Sequence, residues 1–324
     1  MLRTFPHIRF GLMVGVRGGA PNPHPQDAKE DIRLGDVVVS GPRGSHGGVI
    51  QYDRGKETDD DFDIQSHLNK PPGILLKAVN MLQSDHGFKR DKTKEYMADV
   101  NAKAEMLPDF GDCHFPGRGQ DRLFKADNRH VNVEGRQDCS ACDLRQTVRR
   151  RDRQSDEPVV HLGLIASANR VMKSAQHREK LRKAWNVSCF ETEAAGLMND
   201  FPFIVIRGIC DHSDDHKNKA WQPYAAVAAA AYAKDLLRII QPSEVQKAPR
   251  AADVTNLEPE APKDPKTAGD DVSRTEKNGN HSETTGKLSH HGGYCFLGEA
   301  KLDNVDKALA SDRDAFREDL RRLM

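Results

Sequence analysis

The chain predicts an α/β fold, a central sheet flanked by helices, on three observations. Short apolar runs bounded by Gly or Asp recur at residues 9–16, 36–40, 159–165 and 203–208, with the length and composition of buried strands. Helical patterns separate several of them. Charge-rich stretches at about 84–157 and 241–293 stand apart from these runs, so a chain that is 30% charged still has the material for a core.

Taken in order, Phe10, Leu12, Met13, Val14 and Val16 form the first strand. The run is far too short to span a bilayer and lacks the small-residue cleavage site of a signal peptide. Residues 36–40 form the second strand. Behind Lys70-Pro71-Pro72, residues Ile74, Leu75, Ala78, Val79 and Leu82 repeat at helical spacing, and the prolines suit a first turn. From 84 to 157 the periodicity dissolves, which predicts a long surface insertion; the basic run at its end, 148–153, reads as a solvated face. A strand at 159–165 follows. A short helix is expected from Glu193 through Met198, then the strand at 203–208. After Pro223 comes an alanine-rich helix over 225–240, packed through Leu236, Leu237, Ile239 and Ile240. Residues 241–293 hold hardly an apolar side chain and predict a disordered linker. Beyond it Leu302, Val305, Leu309, Phe316, Leu320 and Leu323 mark an amphipathic helix over 294–324. The expected organisation is therefore a domain over 1–240, a linker and a terminal helix that either meets a protein partner or frays as a tail.

Lys plus Arg and Asp plus Glu both count 49, so no general attraction to nucleic acid or an anionic membrane is expected, and any anion site must be local. Six scattered cysteines without a secretory signal predict free thiols in a reducing, cytoplasmic setting.

Two groups of residues have the chemistry of a site. Glu191 and Glu193 follow a strand ending at Cys189-Phe190, where carboxylates complement a helix N-terminus; by spacing alone they are first-turn acids. Asp211 closes an apolar strand, and functional groups in open α/β sheets gather at strand carboxyl ends, although a loop-initiating Asp has the same look. Gly15, Gly18 and Gly19 follow a strand, so their amides are placed to face an anion or sugar, with Arg17 as an anion partner; a tight turn explains them equally well.

Together, the runs at 8–21, 31–40 and 163–173, and the stretch from Phe190 to Asp211 with its continuation to Tyr224, resemble the nucleoside phosphorylase superfamily. The resemblance covers roughly residues 1–240. It is strongest to the branch found at the front of fungal multidomain proteins, ahead of a signalling ATPase or a repeat array. It implies a three-layer αβα fold around a mixed sheet, and a domain that cleaves the N-glycosidic bond of a nucleoside, either as a phosphorylase or as a nucleosidase of the methylthioadenosine/adenosylhomocysteine type. In that family the second Glu of a Glu-x-Glu motif bonds the ribose hydroxyls, which falls on Glu193 with Thr192 and Glu191 beside it. Asp211 matches the acid that meets the purine N7, a role that calls for a dry pocket favouring its protonated form. Ala168, Asn169 and Val171 match the segment cradling the base, and Gly15, Arg17, Gly18 and Gly19 the phosphate or anion site.

The resemblance implies no cofactor, inorganic phosphate as the co-substrate of a phosphorylase, a nucleoside as ligand, and an oligomer of the same chain. The sequence also departs from the pattern. Thr192 stands where a methionine packs on the sugar, Val171 where an aromatic stacks, and Val16 where a phosphorylase places a small hydroxyl residue. The family's first strand precedes anything that matches residues 1–6, so that strand is expected to be missing, with a sheet strand left unpaired on one side. These departures also predict a second role, a nucleoside-sensing or interaction module of a signalling protein without turnover. Cys139-Ser140-Ala141-Cys142 is a metal-type hairpin near Cys113-His114 and His130, but structural zinc usually needs two such pairs, so no metal site is expected.

Overall fold

The computed structural model describes residues 5–27, 30–59, 62–87, 91–105, 112–134, 138–153, 155–217 and 219–255. The strands are β1 (Gly11–Gly19), β2 (Val37–Ser40), β3 (Val49–Gln51), β4 (Gly55–Glu57) and β5 (Phe62–Ile64), followed by α1 (Gly73–Gly87) and α2 (Thr93–Glu105). Then come β6 (Val160–Ser167), α3 (Ala175–Trp185), β7 (Val187–Glu191), β8 (Phe203–Asp211), α4 (Gln222–Ile239), α5 (Pro242–Lys247) and α6 (Ala251–Thr255). The result is a mixed sheet with flanking helices, as expected.

Six strands run in the order β2-β8-β1-β7-β6-β3, and β2 also pairs with β6. The pairings β2–β8–β1–β7–β6–β2 therefore close on themselves, and β3 continues β2's place along the edge of β6. One contact in this cycle is thin. β1 pairs with β8 from Gly11 to Gly18, but with β7 only at Gly18 and Gly19. On the β7 side, Gly11 to Arg17 pair with no strand among the described residues.

Burial follows the apolar runs. All nine residues of β8 and all four of β2 are buried. The alanine content of α4 allows a close approach to the sheet: Ala225, Ala228 and Ala229 are fully covered, and a Cβ on Gly208 would overlap the Ala225 backbone. Larger side chains, Trp221, Tyr232 and Leu236, fill the remaining gaps. At Gly35, with φ of 88°, the backbone turns ahead of β2 where Trp221 and Tyr224 leave no room for a side chain.

Five local expectations are corrected. The glycines Gly15, Gly18 and Gly19 lie within β1, not in a turn after it, and none has positive φ. They are small because neighbours use the space: a Cβ on Gly15 would lie 2.7 Å from Arg207 Nη1, and one on Gly18 would overlap Asp211 Oδ1 and Ser213 Oγ. The helix expected over Glu193 to Met198 is a single 3₁₀ turn at Ala194–Gly196. The segment from 84 to 157 is no mere surface insertion, because α2 packs on α4, its start held by Asp235 accepting the Lys92 N–H at 2.8 Å, and Leu123 and Phe124 are buried.

The basic run is only half solvated. Arg149 and Arg151 face outward, or nearly so, whereas Arg150 bonds Asp121 at 2.8 Å and Arg153 bonds Asp36 at 2.6 Å, all four side chains being covered. Buried charge persists only when paired; Asp121 lies in the insertion itself, but Arg150 also stands 3.6 Å from Asp31, which together with Arg153–Asp36 ties the insertion to the loop before β2. The chain also does not leave the body at residue 240, since Ile240 and Ala251 are buried and Ala251 N donates to Ile8 O at 2.7 Å. The remainder of the linker expected over 241–293, from residue 256 on, and the terminal helix expected over 294–324 lie outside the described residues. The five described cysteines are free thiols and all are buried. No helix among the described residues is long and apolar enough to cross a membrane.

Candidate functional site

The end of β1 brings the predicted carboxylates together. Gly18 registers against Phe190 of β7 on one side and Asp211 of β8 on the other. Glu191-Thr192-Glu193 and Asp211 thus flank one strand end.

On the β7 side the charges form a closed knot. Glu191, fully covered, accepts the backbone N–H groups of Glu193 and Ala194 at 3.0 Å and the Arg207 guanidinium at 2.9 Å. Arg207 also reaches Glu193 Oε2 at 3.0 Å. Glu193 Oε1 accepts the Thr192 hydroxyl at 2.7 Å and pairs with Arg17, which in turn donates to Thr192 Oγ1 at 3.3 Å. Burial and the neighbouring Arg207 charge lower the Arg17 pKa. Both arginines retain a buried Nε without a hydrogen-bond partner. Glu193 is a third exposed, and it is the member of this knot most open to a ligand.

On the β8 side, Asp211 Oδ1 accepts Ser213 N at 2.8 Å and Oδ2 faces Lys217 Nζ at 3.1 Å. Ser213 takes φ of 54°, a left-handed conformation that folds the loop back over the carboxylate. The Cys210 thiol next to it is pushed well up by burial and then by the Asp211 charge, so it is inert as a nucleophile. Asp211, Cys210 and His212 open on a cavity of about 300 Å³ whose far wall is the insertion, through Arg122, Phe124 and Cys139. A larger groove of about 730 Å³ lies between α1, Phe201-Pro202 and α5 and touches none of the predicted site residues.

The third group falls elsewhere. Ala168 is buried and its N–H bonds Glu191 O at 3.3 Å, which ties this segment to β7. Asn169 is exposed, with its N–H on Asp53, and Val171 is 61% exposed. Neither is enclosed with Glu193 or Asp211. An aromatic side chain does stand near this segment, but it is Tyr52: its hydroxyl bonds Arg170 O at 3.4 Å and its ring meets Phe190 edge-on at 5.6 Å.

Arg207 and Lys217 carry no role in the sequence reading, yet they decide how the carboxylates are used. Arg207 had a signal, being the one charged residue inside an apolar strand that must bury it.

Beneath the insertion, Asp121 is the hinge of a second buried network. It accepts from Arg150 at 2.8 Å, and His212 Nε2 stands 3.5 Å away, close enough for a charge interaction but long for a hydrogen bond. Burial pushes the Asp121 carboxyl up, but His212 and Arg150 more than reverse this and hold it well below the usual carboxylate range.

No family model matches the chain. Over 246 residues it is 43% identical to a nucleotide-binding leucine-rich repeat (NLR)-like protein of Hyaloscypha variabilis. The match takes in 76% of this chain but spans only 23% of that relative's length. Among solved structures, it is similar to a 5'-methylthioadenosine/S-adenosylhomocysteine nucleosidase of Helicobacter pylori, with 13% identity and a TM-score of 0.40, covering 74% of this chain and 71% of that one. A putative nucleosidase of the same kind from Francisella philomiragia has 15% identity and a TM-score of 0.39, covering 74% and 73%. Futalosine hydrolase of Helicobacter pylori has 15% identity and a TM-score of 0.39, covering 74% and 71%.

Proposed function

We propose that this chain binds a nucleoside at the Gly18 end of β1 and cleaves its N-glycosidic bond. The observation that carries the reading is the register of Gly18, which sets Asp211 and the Glu191-Thr192-Glu193 run on either side of one strand, about 10 Å apart at two strand spacings. A carboxylic residue at each end of a nucleoside matches the chemistry: an acid for the departing base and an acceptor for the ribose hydroxyls.

In this reading Asp211, beside Lys217, meets the base. The C1′–N bond breaks with its electron pair going to the base, which takes a proton from Asp211 in its carboxyl form, the pair with Lys217 having opened as that proton was taken up; water or phosphate adds to C1′, and the proton that water sheds returns to the Asp211 carboxylate. Glu193 accepts the ribose hydroxyls once Arg17 turns away from it, and the partnerless Nε groups of Arg17 and Arg207 supply donors for hydroxyl or phosphate oxygens. Glu191 takes no direct part, since Arg207 and two backbone amides use its carboxylate.

Base release from adenosine, inosine, uridine and methylthioadenosine, with and without phosphate, tests this reading and separates phosphorolysis from hydrolysis. A folded preparation that releases no base from any of them refutes turnover.

A second reading is favoured by the pairing of Glu193 with both Arg207 and Arg17, which leaves the ribose acceptor already engaged. In it the chain binds a nucleoside without cleaving it and reports occupancy to the rest of a signalling protein, in keeping with the NLR-like name of the relative. Calorimetric binding without base release, abolished by Asp211→Asn, marks this outcome.

A further inference from the structure

The insertion between α2 and β6 holds a small cluster that the nucleoside reading does not use. Residues 112–153 contain, among those described, only two single 3₁₀ turns, Arg118–Gln120 and Leu144–Gln146. Besides its fastenings to the main body, the segment has an apolar cluster of its own made of just Phe124, Cys139 and Cys142. Three side chains bury too little surface to offset the ordering of so long a stretch, and small cores of this kind are usually stapled.

The side chains gathered there are of metal-ligating types. Ring nitrogen of His130 and the sulfurs of Cys139 and Cys142 lie within 4.8 Å of one another. From 77 residues further on, His216 in the loop after β8 brings Nδ1 to 3.8 Å from Cys139 Sγ. Two ligands bonded to one zinc at about 2.3 and 2.1 Å in tetrahedral geometry stand about 3.6 Å apart. Both cysteines and His216 are buried, which keeps water from competing for the ion.

The surroundings are those of a metal centre as well. His216 Nε2 lies 3.3 Å from Asn128 O, so its N–H is spent there and Nδ1 is left with its lone pair toward Cys139. Its ring is clamped flat against Phe124 with centroids 3.8 Å apart. Val131 N donates to Cys142 Sγ at 3.5 Å, and Cys142 N closes the hairpin on Cys139 O at 3.2 Å. The two ring nitrogens of His130 face Asp138 O at 3.1 Å and Asn132 Oδ1 at 3.3 Å, so whichever coordinates, the other keeps an acceptor.

We infer that Cys139, Cys142, His130 and His216 form a tetrahedral site for a thiophilic divalent cation, zinc being the ion that suits two sulfur and two nitrogen donors. The two thiols give up their protons on binding, and two thiolates with two neutral imidazoles balance the charge of the ion. The site staples the insertion to the loop that carries Asp211, and Cys139 and His216 are also walls of the cavity in front of that residue. A chain segment with one Cys-x-x-Cys pair thus gains its fourth ligand from the main body, which is why spacing within the insertion did not reveal the site.

The test is elemental analysis of the full chain, purified without chelator from zinc-supplemented medium. About one zinc per chain is expected. In the folded Cys139→Ser/Cys142→Ser variant it falls to near zero. Replacing zinc with cobalt is expected to give the ligand-field bands of a tetrahedral ion together with thiolate-to-cobalt charge transfer, a readout that needs only the wild-type chain. His216→Ala and His130→Ala are each expected to weaken zinc binding by more than the roughly 10–100-fold that loss of an outer partner costs. A folded wild-type chain without zinc, or a double variant that keeps it, overturns the site. Unchanged affinity in His216→Ala overturns the fourth ligand, and with it the staple to the Asp211 loop.

Discussion

Glu191 and Asp211 each end a strand beside Gly18, yet their surroundings differ. Glu191 is fully covered and saturated, with Arg207 and two backbone amides on its oxygens. Asp211 is held by one backbone amide and by Lys217, whose side chain is about a third exposed, and it borders a cavity. A carboxylate locked onto a buried guanidinium and two amides maintains the fold, whereas one whose charged partner is partly exposed and which borders a cavity can meet a ligand. The difference separates architecture from chemistry at residue types that look alike in the sequence.

Removing each in turn breaks or sharpens this contrast. Asp211→Asn keeps an oxygen for Ser213 N and loses only a partly exposed ion pair, so it is expected to cut base release by about 10²–10⁴-fold while stability changes by no more than about 1 kcal/mol. Initial rates beside a urea melt check both halves. Glu191→Ala leaves the buried Arg207 with only the partly exposed Glu193 as partner and frees two backbone amides, and is expected to cost about 3–5 kcal/mol of stability; a urea midpoint equal to wild type removes the architectural role assigned to it. Gly18→Ala places a Cβ onto Ser213 and Asp211, for an expected loss of about 1–3 kcal/mol together with reduced activity. Such coupling of stability to turnover sets Gly18 apart from Asp211.

A smaller effect comes from pH. The Asp121 carboxyl is held below the usual range, so its contribution to stability is fully present above the unfolded value of about 3.9 and is lost as pH falls below it. Asp121→Asn is expected to flatten the acid side of the stability profile, measured as urea midpoints between neutral pH and the acid limb. The smallest effect is at Val171, 61% exposed, where substitution by Ala is expected to stay within about 0.5 kcal/mol of wild type. A marked rise in KM for the nucleoside in that variant restores the base-cradling role that its exposure argues against.

Strands β2, β6 and β8 were legible as nearly continuous apolar runs, and α1 and α4 because proline and apolar spacing mark them, whereas the three-residue strands β3, β4 and β5 are too short to carry a pattern. Helix α2 was not legible either, since its face toward α4 is narrow and its other residues are Lys, Glu, Asp and Asn. Arg150 and Arg153 sit in a run whose charge looks uniform, and only tertiary partners at Asp121 and Asp36 distinguish the inward-facing pair. Within the candidate site, Glu191, Glu193 and Asp211 were picked out by the family resemblance, since by spacing alone they read as first-turn and loop-initiating acids. What they are bonded to was not, because Arg207 reaches both glutamates across a strand pairing that no local spacing encodes. The same holds for His216, which approaches Cys139 only after the sheet has formed.

The central claim is that Asp211, unlike Glu191, acts on a bound nucleoside. It is tested most directly by single-turnover base release from the wild-type chain and from Asp211→Asn, each shown to be folded at the same temperature. The account predicts release by wild type and a drop of about 10²–10⁴-fold in the variant. Equal release by both proteins, or none by a folded wild type, contradicts it.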